Sequence, residues 1–186
     1  MKNRLKKYIP NEFKESIYEI DFLALYERGI RLLLIDIDNT LANYKVALPS
    51  EENIELVEKL KEMGFEVILI SNNNFKRVST FAKPFQDVEF VHYALKPLKC
   101  GYRKALRKAS RNYQKEEVAA VGDQLMTDVK GTNKMGFYNI LVRPIEKKTD
   151  VITTKINRFF EKKKLRKIKK KYPKLYEERL KDYESM

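Results

Sequence analysis

Six residues of this chain have the types and the placement to do chemistry together. Asp36, Ser71, Lys96 and Asp123 each stand at the C-terminal end of an apolar run that reads as a strand, and Asp38 and Asp128 follow close behind two of them. Asp36 and Asp38 are two apart, so an extended path turns both side chains the same way. In an open parallel sheet the C-terminal strand ends lie along one edge, where ligands bind. Ordinary loop-capping Asp or Ser explains any one of these positions, but not four of them coinciding. Carboxylates crowded at one edge raise one another's proton affinity unless cations neutralise them. Lys96 supplies one positive charge. A hard divalent cation supplies more, and carboxylates with few other ligands select Mg²⁺ over zinc. Mg²⁺ keeps open positions for a phosphate oxygen, so the cluster implies phosphoryl chemistry.

The elements that must position these residues alternate along the chain. Residues 12–27 read as an amphipathic helix with Phe13, Ile17, Ile20 and Leu23 inward. Arg31 to Ile35 is a continuous apolar run ending in carboxylates, the pattern of a strand buried on both faces. Pro49 and Ser50 open a helix with acids in its first turn, and that helix ends at Gly64. A second strand runs from Phe65, a helix spans about Phe75 to Ala82, and Asp87 to Leu95 reads as a third strand. Pro97 opens a helix to about Tyr113; Val118 to Gly122 is a strand, followed by a helix to Met135 and a last strand from Asn139 to Val142. Strands alternating with helices predict an α/β fold with a mainly parallel sheet.

The composition bounds the rest. With 186 residues, 43% hydrophobic and 35% charged, the chain suits one globular domain rather than a disordered one. One Cys and one His exclude an internal disulfide framework and a Cys/His zinc site. The longest apolar runs are four or five residues, far short of the ~20 of a spanning helix, and the basic start of the chain does not read as a signal peptide. The expected location is therefore cytoplasmic. The net charge of +13 sits at the ends: Lys2, Arg4, Lys6 and Lys7 open the chain without an acid, and residues 151–186 carry 13 Lys/Arg against five Asp/Glu. Such ends seek phosphates in nucleic acid or at an anionic membrane, or merely solvate the chain. Residues 151–186 read as a basic helical extension to a domain of residues 1–150. Ile152, Ile156, Phe159 and Phe160 form one apolar stripe, expected to dock on the domain. Leu165, Ile168 and Tyr172 form another on the opposite side, expected to begin a bent or separate segment. Each basic residue near an anionic leaflet contributes ~1 kcal/mol, enough in sum for reversible attachment.

The quoted residues resemble a known family. Asp36-Ile37-Asp38-Asn39-Thr40, then Ser71-Asn72, Lys96-Pro97 and Gly122-Asp123 with Asp128 resemble, in order and complete, the four motifs of haloacid dehalogenase-type (HAD) phosphatases. The run Ser71 to Asn74, the stretch Gly122 to Asp128, and Thr154-Lys155-Ile156-Asn157-Arg158 look like the YqeG family of subfamily IIIA, related to the mitochondrial-type phosphatidylglycerophosphatases. This closer resemblance covers roughly residues 8–160. The family usually has Val and, two residues later, Trp where Ala42 and Tyr44 stand here. The resemblance implies a Rossmann-like HAD core and an aspartyl-phosphate mechanism: Asp36 as nucleophile, Asp38 as acid and then base, and Ser71, Asn72 and Lys96 binding the phosphoryl oxygens. It also implies Mg²⁺ held by Asp36, the Asp38 backbone carbonyl and Asp123, with Asp128 orienting.

Only 32 residues separate Asp38 from Ser71, and 24 separate Ser71 from Lys96, too few for an inserted cap. A capless site admits a phosphate carried on something large. With the basic ends, this leads to an expected Mg²⁺-dependent phosphatidylglycerophosphate phosphatase, peripheral at the inner face of the membrane, whose partners are a lipid head group and an anionic membrane surface. A soluble sugar- or nucleotide-phosphate phosphatase, and an RNA- or ribosome-associated protein with a secondary phosphatase site, stay open as alternatives. Cys100 lacks the Arg six positions later that a cysteine phosphatase needs, since Leu106 stands there, and His92 reads as structural.

Overall fold

The computed structural model describes residues 5–146 and 152–185, with side chains from residue 160 onward in the second stretch. Among these residues six strands form one sheet: Glu12–Lys14 (β1), Leu32–Ile35 (β2), Glu66–Ile70 (β3), Glu89–Val91 (β4), Val118–Gly122 (β5) and Tyr138–Val142 (β6). Their order is β1-β6-β5-β2-β3-β4 and every pairing is parallel. The apolar run of β2 is buried throughout. Leu33 and Ile35 enter one apolar cluster, Leu32 and Leu34 another, as the two-residue repeat of a strand covered on both faces requires.

Helices Phe22–Glu27 (α1), Glu51–Glu62 (α2) and Phe75–Ala82 (α3) cover the first face through Leu25, Leu60 and Phe81. On the second face lies Lys99–Lys108 (α4), seated by Tyr102 and Ala105. A π-helical turn, Leu125–Val129, leads into Lys130–Met135 (α5). Ile152–Lys171 (α6), Pro173–Arg179 (α7) and Lys181–Glu184 (α8) complete the chain. The start of α2 follows from sequence: Ser50 Oγ accepts from Asn53 N and Asn53 Oδ1 accepts from Ser50 N, both at 3.2 Å, a reciprocal cap. Asn53 also donates to the Leu41 carbonyl at 3.0 Å, tying this cap to the loop that follows β2.

Four expectations are corrected. Residues 12–27 do not form one helix: Glu12–Lys14 pairs with β6, a 3₁₀ turn follows at Ile17–Glu19, and only Phe22–Glu27 is α-helical, with Leu23 exposed. The open edge of β6 supplies backbone partners that a local helix would forgo, and Asn11 anchors the pairing through both Asn139 N and Asn139 O. The third sequence-predicted strand shrinks to Glu89–Val91, because Tyr93 (φ 43°) and Leu95 (φ 54°) turn left-handed, which extended structure does not allow; the helix expected to reach Tyr113 stops at Lys108. Lastly, Leu165 and Ile168 do not begin a separate segment. They pack with Tyr8, Leu125, Val129, Leu141 and Leu180 in a third cluster over β6, each contributing about 1.5–3 kcal/mol by burial. The first stripe lies outside the described side chains except for Phe160, which is exposed.

Candidate active site

The order of the strands places a crevice where the chain, having built outward from β2 to β3 and β4, returns to lay β5 on the other side of β2. Such a reversal point is where doubly wound sheets bind ligands. Asp36 follows β2 there, its N–H still bonded to Val121 O of β5 at 3.0 Å, and Asp123 follows β5. Both side chains are buried, as are those of Ser71, Lys96 and Asp128.

Lys96 joins the group together. Its Nζ donates to Asp36 Oδ1 at 2.5 Å, to Asp128 Oδ1 at 2.6 Å and to Ile70 O at 3.2 Å, which uses all three protons of the ammonium. The loop that delivers it is held by backbone bonds, Tyr93 N to Asn73 O and Ala94 N to Ser71 O. Two left-handed residues in this loop are strain of the kind concentrated at functional sites. Asp36 Oδ2 accepts from Thr40 Oγ1 at 3.0 Å; Asp128 Oδ2 accepts from Thr127 Oγ1 at 2.9 Å and Gln124 N at 3.3 Å. Gly122 is required by this crowding, since a Cβ there would lie 2.4 Å from Asp128 Cγ.

Carboxylate oxygens of Asp36, Asp123 and Asp128 lie within 4.8 Å of one another. Three buried carboxylates with no nitrogen or sulfur ligand beside them fit a hard divalent cation such as Mg²⁺. Burial pushes the Asp36 carboxyl up to about 7; Lys96 pulls it down, and Asp128 and Asp38 add to the rise. Burial works against the Lys96 ammonium, but Asp128 and Asp36 outweigh it, and its proton is held more tightly than usual.

Asp38 does not join the three. The strand has ended at Ile35 and Asn39 is left-handed (φ 66°), so two-residue alternation no longer sets its direction. Asp38 Oδ1 accepts from Arg77 Nη2 at 3.0 Å and Nε at 3.3 Å, and Oδ2 from Ser71 Oγ at 3.1 Å. It stands beside the cluster, on the Ser71 side. The Asn72 side chain binds the Lys96 backbone from both ends, Nδ2 to Lys96 O at 3.2 Å and Oδ1 from Lys96 N at 2.7 Å, so it holds the lysine loop. Sequence reasoning missed Arg77, in the first turn of the helix after the Ser71 loop, and the bond of the Thr40 hydroxyl to Asp36. His92 packs edge-on against Phe75 at 5.2 Å between ring centres, among aromatic neighbours.

Two short segments, one helix and one strand each, connect Asp38 to Ser71 and Ser71 to Lys96, and neither adds a cap. The site edge is instead rimmed by apolar side chains. Of eleven large hydrophobic side chains exposed among the described residues, eight lie in the segments that leave the C-terminal ends of the strands. Tyr44, Val46 and Leu48 follow β2, Phe75 follows β3, Tyr93, Leu95 and Leu98 follow β4, and Ile145 follows β6.

Known proteins match this arrangement. The family model described as mitochondrial PGP phosphatase matches residues 2–146. The probable phosphatase YqeG of Bacillus subtilis (strain 168) is 36% identical over 168 residues, 90% of this chain and 95% of that protein. Among solved structures, the cobalt-bound deoxy-D-mannose-octulosonate 8-phosphate phosphatase of Haemophilus influenzae superposes with a TM-score of 0.50 at 13% identity, covering 62% of this chain and 69% of its own, which speaks for the fold. The sequence motifs, the parallel sheet and these matches agree: the chain belongs to the mitochondrial PGP phosphatase family and is a HAD-type phosphatase of the YqeG kind.

Proposed function

We propose that the protein hydrolyses a lipid-borne phosphomonoester, phosphatidylglycerophosphate, at a membrane surface, with Mg²⁺ as cofactor. In this reading Asp36 attacks the phosphorus, the ester oxygen leaves with a proton from Asp38, and an aspartyl-phosphate forms on Asp36. Asp38 then takes a proton from the water that attacks this intermediate, and phosphate departs with Asp36 restored. Arg77 and Ser71 hold Asp38 in place for both transfers. Lys96 and Ser71 bind phosphoryl oxygens, where a buried ammonium stabilises charge that spreads during transfer. Asp36, Asp123, Asp128 and the Asp38 backbone carbonyl would hold Mg²⁺, which when bound offsets the charge of phosphate and carboxylates alike. Asn72 keeps Lys96 on target through its backbone.

The observation that carries the lipid assignment is the apolar rim around a capless site. A soluble phosphate gains nothing from Leu95, Leu98 and Phe75 in water, whereas a phosphate presented from an interface brings acyl and glycerol surface to meet them. The family model's description supports the same substrate. Lys7, Lys130 and Lys164 gather around Tyr8, each within 6 Å of its ring centre and without an ion pair among the described residues, so the basic start of the chain and α6 supply one positive patch for anionic head groups.

The test is phosphate release from phosphatidylglycerophosphate in mixed micelles with Mg²⁺, beside a soluble aryl phosphate, for wild type, Asp36→Asn and the Leu95→Asp/Leu98→Asp double variant. We expect wild type to turn over both substrates, Asp36→Asn neither, and the rim variant only the aryl phosphate. Equal loss on both substrates in the rim variant, or aryl turnover alone in wild type, would remove the lipid assignment and leave the phosphatase.

A further inference from the structure

Glu161 is a buried carboxylate that the chemistry above does not use. It sits on α6, 2% exposed, in a helix otherwise crowded with lysine. Burying an unsatisfied carboxylate is costly, so its partners are informative. Glu161 Oε1 accepts from Leu125 N at 2.7 Å and Met126 N at 3.2 Å, two successive amides that open the π-helical turn after Asp123. The first amides of a helical turn have no partner within it, and Gln124, at the capping position, provides none from its side chain. The carboxylate that caps this turn therefore comes from 36 residues away. Glu161 Oε2 faces the Tyr183 hydroxyl at 3.0 Å, and the same hydroxyl lies 3.2 Å from the backbone carbonyl of Asp123, so its single proton is shared between two acceptors. Tyr183 belongs to α8 and is itself buried.

We infer that Glu161 and Tyr183 are positioning residues for the cation site, a clamp through which the last helices of the chain fix the backbone that carries Asp123 and Asp128. The inference rests on the proposed metal role of those two aspartates. Leu125 and Met126 lie between them in sequence, and the Gln124 amide bonds Asp128 directly. Holding the turn by two charge-assisted bonds at one end and the Asp123 carbonyl at the other leaves the carboxylates little freedom to separate. Like charges released from such a hold move apart, and the geometry a hard cation demands is lost with them. Partners that orient metal ligands in this way change metal affinity by about 10–100-fold when removed. The apolar contacts of Leu165, Ile168 and Leu180 seat the helices, while Glu161 and Tyr183 transmit that seating to the site.

Mg²⁺ binding measured by titration calorimetry tests this on full-length wild type, Glu161→Ala, Glu161→Gln, Tyr183→Phe and Ile168→Ala. Glu161→Ala is expected to weaken Mg²⁺ by at least about tenfold. Glu161→Gln restores most of the affinity, because the amide oxygen still accepts from Leu125 and Met126 and its NH₂ can donate to Tyr183. Tyr183→Phe falls between. Ile168→Ala loosens the apolar seating of the same helix but keeps the Glu161 bonds to the turn, and it should melt earlier while binding Mg²⁺ as wild type does. Activity at limiting Mg²⁺ falls in Glu161→Ala and returns at saturating Mg²⁺. If Glu161→Ala does not fold, Tyr183→Phe and Glu161→Gln decide. Wild-type affinity in Tyr183→Phe and any folded Glu161→Ala, or equal weakening by Ile168→Ala, overturns the clamp. A wild type that binds no Mg²⁺ removes the metal reading itself and the clamp with it.

Discussion

Replacing Asp36 by Asn should make the metal-free protein more stable at alkaline pH while abolishing turnover. The folded Asp36 carboxyl, ordinarily at 3.8, is pushed up to about 7, chiefly by burial. A group held above its unfolded value contributes stability that is complete below the unfolded pKa and is lost as pH rises through the folded one. At pH 8 without metal, ionised Asp36 therefore works against the fold by up to about 4 kcal/mol. The pull of Lys96 on Asp36 is already contained in that figure. The gain from a side chain that stays neutral is therefore up to about 4 kcal/mol, or about 8–16 °C for a chain of this length. At pH 5 wild-type Asp36 is protonated, and the advantage should vanish or reverse. Saturating Mg²⁺ at pH 8 should favour wild type again by mass action. Thermal melts of both proteins in chelator at pH 5 and pH 8, then with Mg²⁺, read all three. A variant that melts with or below wild type at both pH values refutes the view that burial of like charges strains this site.

Two further outcomes follow from the geometry. Asp38→Asn should cut turnover of an alkyl phosphate by ~10²–10⁴-fold, yet spare the first step on an aryl phosphate, whose leaving group needs no proton; rapid-quench kinetics should then show a burst followed by slow turnover, and equal damage to both substrates would argue against an acid role. Ser50→Ala removes the cap of α2, at a cost of about 1 kcal/mol, visible as a melting temperature lower by about 2–4 °C with aryl phosphatase activity at 25 °C unchanged; a larger loss of activity would mean that the cap reaches the site through Asn53 and Leu41.

What the sequence disclosed and what it withheld divide along the range of the interactions. β2, β3 and β5 are apolar runs buried on both faces, so burial and local pattern coincide and the strands can be read directly. The reciprocal cap at Ser50 is likewise local. Residues 12–27 were misjudged because Phe13, Ile17 and Ile20 satisfy helical spacing, while the open edge of β6, more than 120 residues on, decides the outcome. The site divides in the same way. Asp36, Lys96, Asp123 and Asp128 announce themselves by type and by position at strand ends, and the fold brings all four together. Arg77 was hidden because a lone arginine on an exposed helix start resembles solvated charge until the loop folds it onto Asp38. Glu161 was hidden more completely, since one acid among ten basic residues from Lys155 to Lys171 reads as relief of repulsion, and nothing nearby in sequence marks the amides it caps.

The placement of the last helices also changes how the basic end of the chain can be studied. Deleting residues 155–186 would remove more than charge. It would strip Leu165, Ile168, Leu180 and Tyr183 from the cluster over β6, expose Leu125 and Leu141, and leave the Leu125 and Met126 amides uncapped. Loss of membrane binding in such a protein would follow from a disordered domain as readily as from a missing anchor. The exposed face of α6 permits a cleaner perturbation, because Lys162, Lys167 and Lys170 point to solvent while Glu161, Leu165 and Ile168 point inward. Reversing these three charges leaves the clamp and the cluster intact. If the exposed lysines of α6 serve an anionic bilayer, the reversed protein should sediment less with anionic vesicles, keep wild-type Mg²⁺ affinity and melt within a few degrees of wild type. Unchanged sedimentation would assign membrane contact to the apolar rim at the site edge, and leave the lysines of α6 as charge that keeps an otherwise docked helix soluble.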